Sequence, residues 1–458
     1  MHFDTPSAAA ATNPASDLPW YKQLNRYHWL VLIVASLGWL FDTMDQQLFN
    51  LARRPAVMEL LGVRPGDASM AGRVAEFSGY ATMIFMIGWA SGGVFFGILG
   101  DRIGRAKTMI MTIVLYSLFT GLSALSTNGW DFSFYRFLTG LGVGGQFAVG
   151  VALVAEVMPA AARPYALGSL QALSAVGNML AALIGIGLGR LEQLGTIGSA
   201  WRSMFLVGAL PAMLALVVFR KLKEPEQWQA ARSSGKLGSM NELFSDVRWR
   251  KNAIVGMLLA FSGVVGLWGI GFFSFDLISS VLDKTFRAQG LSEAQIAGNK
   301  TVWTGITSLL QNLGSFFGIY AFTYLTAVTG RRKAFAFAFV AAMMATAFAF
   351  WNLKTFSDIF WMIPLMGFAQ LALFGGYAIY LPELFPTRLR STGTSFCYNV
   401  GRFVAAMGPL ALGLLTSRVY ADKPEPMRYA GVTMCLVFLV GLAALPFAPE
   451  TKGKPLPE

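Results

Sequence analysis

The chain has 458 residues, of which 55% are hydrophobic and only 13% are charged. This apolar content excludes a water-soluble globular protein, because a single soluble core stops growing at roughly 250–300 residues. The formal net charge of +12 is typical of positively charged loops at an anionic membrane surface and does not indicate a nucleic-acid partner.

The chain begins with a polar segment, residues 1–28, that we expect to be a disordered cytoplasmic tail. It lacks the charged stretch followed by an apolar core that marks a signal peptide. Apolar runs of about twenty residues then recur along the sequence, which is the length needed to cross ~30 Å of hydrocarbon. They predict twelve membrane-spanning helices near residues 29–50, 79–99, 107–126, 130–155, 166–189, 201–220, 253–279, 301–328, 333–351, 358–381, 393–417 and 428–448.

A long polar stretch, residues 221–252, divides these spans into six plus six and is predicted to be a cytoplasmic linker. The sequence therefore predicts an all-α membrane protein with an N-terminal half at 29–220, a C-terminal half at 253–448 and a short tail at 449–458. Lysine and arginine are more frequent in the loops on the side of the N-terminus, which predicts that both termini are cytoplasmic.

The first predicted span contains two carboxylates, Asp42 and Asp45, in "GWLFDTMDQQLF". A charge at this depth costs roughly 2.5–3.5 kcal/mol, so it usually has a function. The two acids lie three residues apart on one helix face, and Gln46 joins them. Two like charges this close and away from water favour protonation of one of them, which suits proton coupling. The alternative is that one aspartate only anchors a helix by hydrogen bonding.

Arg136 is the expected partner of these acids. Counted from the predicted span ends, Arg136 lies ~9 Å deep, Asp45 ~8 Å and Asp42 ~12 Å at ~1.5 Å per residue. An ion pair is therefore feasible, and protonation of the acid would weaken it and release spans 1 and 4 from each other. The alternative is a fixed structural pair.

Arg402 lies ~14 Å from the start of span 11, close to the middle of the bilayer. No acid of spans 10 to 12 lies at that depth, and Asp276 of span 7 is expected to be too shallow. A substrate carboxylate would satisfy the guanidinium in a bidentate manner. The alternatives are backbone carbonyls or Asp42 as its partners.

Other polar and aromatic residues of seven spans are candidates for a cavity between the two halves, although each is individually more typical of helix packing. They are Gln46, Gln146, Gln171, Asn178, Trp268, Gln311, Asn312, Tyr377, Tyr398 and Asn399.

The two halves also repeat each other in sequence. "EVMPAAAR" follows span 4 and "ELFPTRLR" follows span 10, and both read E-x-x-P-x-x-x-R. "GILGDRIGRAK" lies between spans 2 and 3, and the weaker "TYLTAVTGRRK" lies between spans 8 and 9. These charges are expected to form a cytoplasmic gate, or simply positive-inside loops with helix caps. The set comprises Gly97, Asp101, Arg102, Gly104, Arg105, Lys107, Glu156, Arg163, Glu383, Arg388 and Arg390.

These motifs resemble the major facilitator superfamily. "GILGDRIGRAK" is similar to its loop signature, and "RFLTGLGVGG", "EPEQW", "PELFPTRLRSTG" and "PETKG" resemble its sugar-porter-like branch. Within that branch, "DTMD" resembles the D-G-x-D signature of aromatic-acid/proton symporters, with Thr43 in place of the glycine. "RSTGTSFCYNVGRFVAAMGP" resembles their eleventh span, including the arginine at 402. The resemblance implies two six-helix halves and an acid–arginine pair that switches during transport.

The sequence lacks the characteristic motifs of two other groups of this superfamily. Span 7 reads "FSGVVGLWGIGFFSFD" and lacks the sugar-contact motif of hexose carriers. Span 5 reads "SAVGNMLAALIG" and lacks the Gly-Pro pair of drug/proton antiporters. A proton-coupled symporter of a small organic anion is therefore favoured, working by rocking of the two halves.

The alternatives are a carrier of a sugar or other neutral metabolite, in which Arg402 is structural, and a membrane sensor that transports nothing. We expect no enzyme activity, because no nucleophile–base constellation appears. No cofactor or metal site is expected either; the two cysteines, Cys397 and Cys435, lie in apolar segments. The expected partners are the solute, protons and the lipid bilayer, most simply a bacterial inner membrane, with no nucleic acid and no obligate protein partner.

Overall fold

The computed structural model describes residues 19–63, 70–213, 221–233, 237–405 and 407–458. Over these residues the chain is helical and contains no strand, and nine of their helices are long and apolar enough to cross a membrane. The predicted fold class, an all-α membrane protein of two six-helix halves, is confirmed. The spans keep their predicted numbers below.

The six predicted spans of the N-terminal half are all helical in the part of the chain that the structure describes. Asn25 and Asn128 cap the starts of spans 1 and 4, because their side-chain oxygens accept hydrogen bonds from the first free N–H groups. The bounds are Arg26–Leu60 for span 1, Ala71–Ile103 for span 2, Arg105–Ser123 for span 3, Gly129–Val157 for span 4, Arg163–Gln193 for span 5 and Ala200–Gly208 for span 6.

Several helices of the C-terminal half are interrupted. Span 7 runs through Val247–Val264, a π-helical segment Val265–Gly271 and Phe272–Ala288. Span 11 consists of Arg390–Ala405, Gly408–Leu414 and a π-helical end, Leu415–Val419. Span 12 consists of Pro426–Met434 and Val437–Ala444. The continuous helices are span 8 at Glu293–Thr329, span 9 at Arg331–Asn352 and span 10 at Ile359–Tyr380.

The structure differs from the prediction at several helix ends and in two segments expected to be non-helical. Spans 2 and 8 begin eight residues earlier than expected, and span 7 extends to Ala288. Span 1 continues ten residues past the expected exit at Asn50, with Pro55 inside it. The tail expected to be disordered up to residue 28 has a 3-10 turn at Trp20–Gln23, because Trp20 stacks on Tyr165. The predicted linker contains two helices, Glu226–Ser233 and Met240–Ser245, and its last residues belong to span 7. The last residues of predicted span 6, 214–220, lie outside the described residues.

The halves pack against each other chiefly through spans 2 and 11 and through spans 5 and 8. Small residues allow spans 2 and 11 to approach closely: a side chain at Gly97 would collide with Ser395, and the Ser395 hydroxyl donates to the carbonyl of Gly93. We call the end of the bundle that carries Trp20, Arg105 and Arg390 the terminal face. The C-terminal residues lie there too, since Arg390 donates to the carbonyl of Pro457.

Candidate functional site

The central part of span 1 is locked against span 5. The hydroxyl of Thr43 donates to the carbonyls of Leu40, at 3.0 Å, and of Ser174 in span 5, at 3.2 Å. Thr43 occupies the position at which the resembled motif has glycine, so this departure adds a helix–helix contact. Asp42 and Asp45 on either side of it are completely buried.

Asp45 faces spans 3 and 4. Its Oδ1 accepts a hydrogen bond of 2.8 Å from Thr120 Oγ1. Its Oδ2 lies 3.8 Å from Arg136 Nη1, and neither of these two atoms has a hydrogen-bond partner within the described residues. The structure thus brings the predicted acid and arginine together as a loose ion pair without a hydrogen bond.

Arg136 is held in place by groups other than Asp45. Its Nε and Nη2 donate to Ser123 Oγ at 3.0 and 2.7 Å, and Nη2 also donates to Thr139 Oγ1 at 3.0 Å. The guanidinium lies over the ring of Phe205, 4.5 Å from its centroid, which is cation–π distance. Because these contacts do not involve the carboxylate, Asp45 can change its protonation state while Arg136 stays in place.

Asp42 is the second buried acid of span 1. Gln46 Nε2 donates to its Oδ2 at 3.2 Å, whereas Oδ1 has no hydrogen-bond partner in the described part of the chain. Asp42 is close enough for its charge to interact with those of Asp45 and Arg402. Span 1 therefore has one acid that pairs loosely with Arg136 and a second acid whose charge interacts with that of Arg402.

Arg402 is 1% exposed and forms none of the ion pairs found among the described residues. Its Nη1 donates to the Tyr398 carbonyl at 2.9 Å and to Asn399 Oδ1 at 3.2 Å. Its guanidinium lies 4.0 Å from the ring centroid of Trp89 and 4.3 Å from that of Tyr398. The positive charge thus packs against two aromatic rings, and its hydrogen-bond acceptors are a backbone carbonyl and the Asn399 amide oxygen.

Buried polar atoms with no hydrogen-bond partner in the described part of the chain lie around these residues. An unsatisfied buried polar group costs about 1–3 kcal/mol, so these atoms are open to a polar partner such as water or a solute. They include both donors and acceptors: Trp39 Nε1, Asp42 Oδ1, Trp89 Nε1, Tyr116 Oη, Gln146 Nε2, Gln171 Oε1 and Arg402 Nε.

The remaining predicted cavity residues divide between this region and helix packing. Trp268 packs edge-on against Trp89 with ring centroids 5.4 Å apart, and Tyr398 stacks on Phe147 across the two halves at 3.9 Å. The hydroxyl of Tyr377 instead donates to the Leu259 carbonyl at 2.8 Å, inside the C-terminal half. Tyr377 is therefore better explained as a packing residue.

The amide residues of the predicted set form hydrogen bonds between helices or within one. Asn178 donates to Asn312 at 3.0 Å and so links spans 5 and 8 of the two halves. Gln146 Oε1 accepts from Thr112 at 2.7 Å. Gln171 and Asn399 each bind a serine of their own helix, and Gln311 is buried on span 8. The side chain of Asp276 lies outside the described residues.

At the terminal face, a carboxylate of one half caps a helix of the other. Asp101, near the end of span 2, accepts hydrogen bonds from the N–H groups of Ser391 and Thr392 at 3.2 and 2.8 Å. It also accepts one from the Thr392 hydroxyl at 2.6 Å and pairs with Arg105 at 2.9 Å. These contacts join span 2 to the start of span 11.

Glu156 is the second link between the halves. It accepts from Arg105 Nη2 at 2.7 Å and from Arg390 Nη1 at 2.9 Å, and all three side chains are buried. Arg105 also donates to the Thr387 carbonyl at 2.7 Å. Breaking a buried network of this kind is costly, because removing one member leaves a buried charge unpaired.

The internal repeat extends to equivalent contacts. Arg105 pairs with Glu156 in the N-terminal half, and Arg331 pairs with Glu383 at 2.8 Å in the C-terminal half. Arg105 and Arg331 directly follow Gly104 and Gly330, which have φ values of 119° and 93° that favour glycine.

An acid caps the helix after each of these glycines. Glu224 accepts hydrogen bonds from the N–H groups of residues 105–107 at the start of span 3. Glu450 accepts from the N–H groups of Arg331 and Arg332 at 2.9 and 3.1 Å. Burial alone would raise the pKa of Glu450, but these N–H hydrogen bonds hold that pKa below its ordinary value.

The other residues of the expected gate set have more local contacts. Arg102 donates to the Gly238 carbonyl of the linker at 3.2 Å, and Arg388 pairs with Glu242 of the linker at 2.7 Å. Arg163 donates to the Ala155 carbonyl at 2.8 Å within its own half. The N–H of Lys107 donates to Glu224. The linker is therefore part of the closed terminal face.

Several contributing residues gave no signal in the sequence. Thr120, Ser123 and Trp89 belong to unremarkable apolar segments, and the partners of Glu224 and Glu450 lie more than a hundred residues away. The quoted motifs "EPEQW" and "PETKG" do contain Glu224 and Glu450. Within the described ranges, no group of three His, Cys, Asp or Glu is placed to hold a metal ion.

The sequence profile of the Major Facilitator Superfamily matches residues 35–298. A Haemophilus influenzae protein assigned to metabolite transport is 30% identical over 95% of this chain and 99% of its own length. The niacin transporter NiaP of Acinetobacter baylyi is 26% identical over 94% of this chain and 96% of its own. The cis,cis-muconate transport protein of the same organism is 28% identical over 72% of this chain and 76% of its own.

The fold also matches a solved structure. The proton:xylose symporter XylE superposes with a TM-score of 0.72 and 17% sequence identity, covering 94% of this chain and 98% of that one. At this identity the similarity concerns the arrangement of the helices and does not extend to the solute.

Proposed function

The chain belongs to the major facilitator superfamily and is an integral membrane transporter, and we propose that it is a proton-coupled symporter of a small organic anion. The anion is a carboxylate metabolite that binds between the two six-helix halves. Transport proceeds by alternating access, in which the halves rock about this site. We propose residues 29–220 and 253–448 as the rocking units, with 221–252 as the linker and 1–28 and 449–458 as tails.

The observation that carries the anion proposal is the environment of Arg402. It is a fully buried guanidinium packed against the rings of Trp89 and Tyr398, and Nε has no hydrogen-bond partner within the described residues. A guanidinium binds a planar carboxylate through two parallel hydrogen bonds, and desolvation strengthens both of them. A substrate carboxylate on the Nε side would neutralise the charge that Asp42 now compensates from a distance.

The observation that supports proton coupling is the loose pair of Asp45 and Arg136. Protonation of Asp45 removes one charge, while Ser123 and Thr139 keep Arg136 in place. The weakened attraction then lets spans 1 and 4 move relative to each other. Release of the proton from Asp45 on the other side of the membrane restores the ion pair and resets the carrier.

The closed terminal face supports alternating access. Asp101 and Glu156 each bridge the two halves, so both bridges have to break before a solute can leave at this end. We propose that this face is cytoplasmic, because the lysine- and arginine-rich loops lie on its side. The membrane is then the inner membrane of a bacterium, as suits the bacterial relatives.

The names of two relatives support a carboxylate solute. Niacin is a pyridine carboxylic acid and muconate is an unsaturated dicarboxylate, and each name refers to the solute of that relative. The guanidinium of Arg402 in this chain would bind the carboxylate group that both compounds share.

Ligand-induced thermal stabilisation of the purified protein tests the anion proposal. Carboxylates are compared with their own amides, for example nicotinate with nicotinamide and muconate with muconamide. We expect at least one carboxylate to stabilise the protein and its amide not to do so. This stabilisation should be lost in Arg402→Gln. It should be kept in the control Arg190→Gln, which replaces an exposed arginine on span 5. Stabilisation by a sugar or an amide, unchanged in Arg402→Gln, would contradict the proposal and favour a carrier of neutral solutes.

A further inference from the structure

A charged groove lies on the terminal face, away from the proposed solute site. It is formed between the start of span 3 and the linker helix Glu226–Ser233, and its volume is about 570 Å³. Six side chains line it: Lys107, Lys223, Glu224, Trp228, Gln229 and Arg232.

The groove carries an excess of positive charge. Lys107, Lys223 and Arg232 appear in none of the ion pairs between described residues. The acid in the groove, Glu224, already accepts the three N–H groups at the start of span 3. Three cations therefore face a single carboxylate that is occupied by the helix end.

The floor of the groove is rigid. Trp228 is buried, and its Nε1 donates to the main-chain carbonyl of Asp101 at 2.6 Å. The guanidinium of Arg232 lies over the same indole ring, 5.5 Å from its centroid. The linker helix is thus held against span 2, which places its Arg232 in the same groove as Lys107.

An apolar stripe continues from the groove along span 3. Met111, Val114 and Leu118 follow Lys107 at spacings of four, three and four residues, so all four share one face of the helix. The three apolar side chains are about half exposed. Because span 3 crosses the membrane, this exposed face meets the acyl chains of lipids, and the groove lies at the level of their headgroups.

We propose that this groove binds an anionic phospholipid. Its phosphate lies among Lys107, Lys223 and Arg232, where charge-assisted hydrogen bonds neutralise the excess positive charge. Its acyl chains lie along Met111, Val114 and Leu118. A zwitterionic phospholipid would fit the apolar stripe equally well, but its own cation would meet the three cations of the groove.

Native mass spectrometry of the purified protein in detergent tests this site, because it counts bound lipids directly and does not depend on transport. The protein is titrated separately with phosphatidylglycerol, phosphatidylcholine and glycerol 3-phosphate. The variant Lys223→Gln/Arg232→Gln removes two cations of the groove. The matched control, Arg250→Gln/Lys251→Gln, removes one arginine and one lysine from exposed positions at the start of span 7.

We expect phosphatidylglycerol to bind to the unmodified protein more tightly than phosphatidylcholine. The groove variant should bind it about thirtyfold more weakly, since each cation contributes about a factor of five to six near an anionic headgroup, and the control variant should bind it unchanged. Unchanged binding by the groove variant, or equal losses in both variants, would overturn the site. If glycerol 3-phosphate bound as tightly as phosphatidylglycerol, the lipid assignment would be overturned and the groove would be a site for free phosphate esters.

Discussion

Asp101 of span 2 binds both the N–H and the hydroxyl of Thr392 at the start of span 11, at 2.8 and 2.6 Å. The carboxylate lies at the positive end of a helix that belongs to the other half of the molecule, where a negative charge is stabilising. The sequence repeat has Ala327 at the equivalent place in the C-terminal half, so this contact exists once and makes the closed face asymmetric.

Asp101→Asn is expected to loosen the terminal face. The amide removes the negative charge from the helix end and breaks the pair with Arg105. Deuterium uptake over residues 391–396, measured by mass spectrometry, should rise several-fold, while Asp422→Asn in an exposed loop should leave it unchanged. Equal uptake in the Asp101 variant and the unmodified protein would show that other contacts keep this face closed.

Gly208 allows span 6 to pass over the buried pair of Asp45 and Arg136. A Cβ atom there would lie 2.6 Å from Thr120 Cγ2 and 3.2 Å from Asp45 Oδ1. Gly208→Ala is therefore expected to destabilise the protein by about 1–3 kcal/mol, seen as a lower unfolding temperature in detergent. Gly187→Ala is the control, because nothing lies within 4 Å of its Cβ position. Equal stability of the two variants would argue against this tight packing.

Glu450 should stabilise the protein in a pH-dependent way. Burial raises its pKa, but the hydrogen bonds from N–H groups outweigh this and hold the pKa below its ordinary value. The carboxylate is therefore stabilising above the unfolded-state pKa of about 4.3, and this contribution is lost as the pH falls through the lower folded-state pKa.

The variant Glu450→Gln should accordingly lower the unfolding temperature at pH 7, and the difference from the unmodified protein should shrink toward pH 3.5. Glu226→Gln, at an exposed position of the linker helix, serves as the control. A difference that stays constant over this pH range would mean that the cap does not depend on the charge of Glu450.

Asp45 and Asp42 are expected to differ in a test that separates coupling from movement of the solute. Asp45→Asn should abolish accumulation driven by a pH gradient but retain exchange of labelled for unlabelled solute, because exchange needs no release of the proton. Asp42→Asn should retain both activities, since it removes a negative charge that competes with the solute carboxylate for Arg402. Undiminished accumulation by Asp45→Asn would assign the proton to another group.

The fold was predictable from local patterns, whereas much of the site was not. Apolar runs determine where helices lie, and the repeat of E-x-x-P-x-x-x-R indicated that Glu156 and Glu383 are equivalent. The predicted helix ends were less accurate. Arg53 and Arg54 end the hydrophobic run of span 1, but arginine is a good helix former, so the helix itself continues to Leu60.

Counting residues from those span ends gave similar depths for Asp45 and Arg136, and the structure has them 3.8 Å apart. Their role in coupling stays a prediction. The count could not find Thr120 or Ser123, because a small hydroxyl in an apolar helix has no distinctive pattern. Tyr398 was in the predicted set, but the count could not find Trp89 beside Arg402, since Trp89 comes from the other half of the molecule.

The most direct test of the central claim is uptake of labelled carboxylates into proteoliposomes under an imposed pH gradient, acid on the side from which the solute enters. We expect a carboxylate, for example nicotinate, to accumulate only with the gradient, while its amide does not accumulate. Arg402→Gln should lose this uptake, Arg402→Lys should retain a small part of it, and Arg190→Gln should keep all of it. Gradient-independent uptake, or accumulation of a neutral solute that Arg402→Gln leaves unchanged, would contradict a proton-coupled anion symporter.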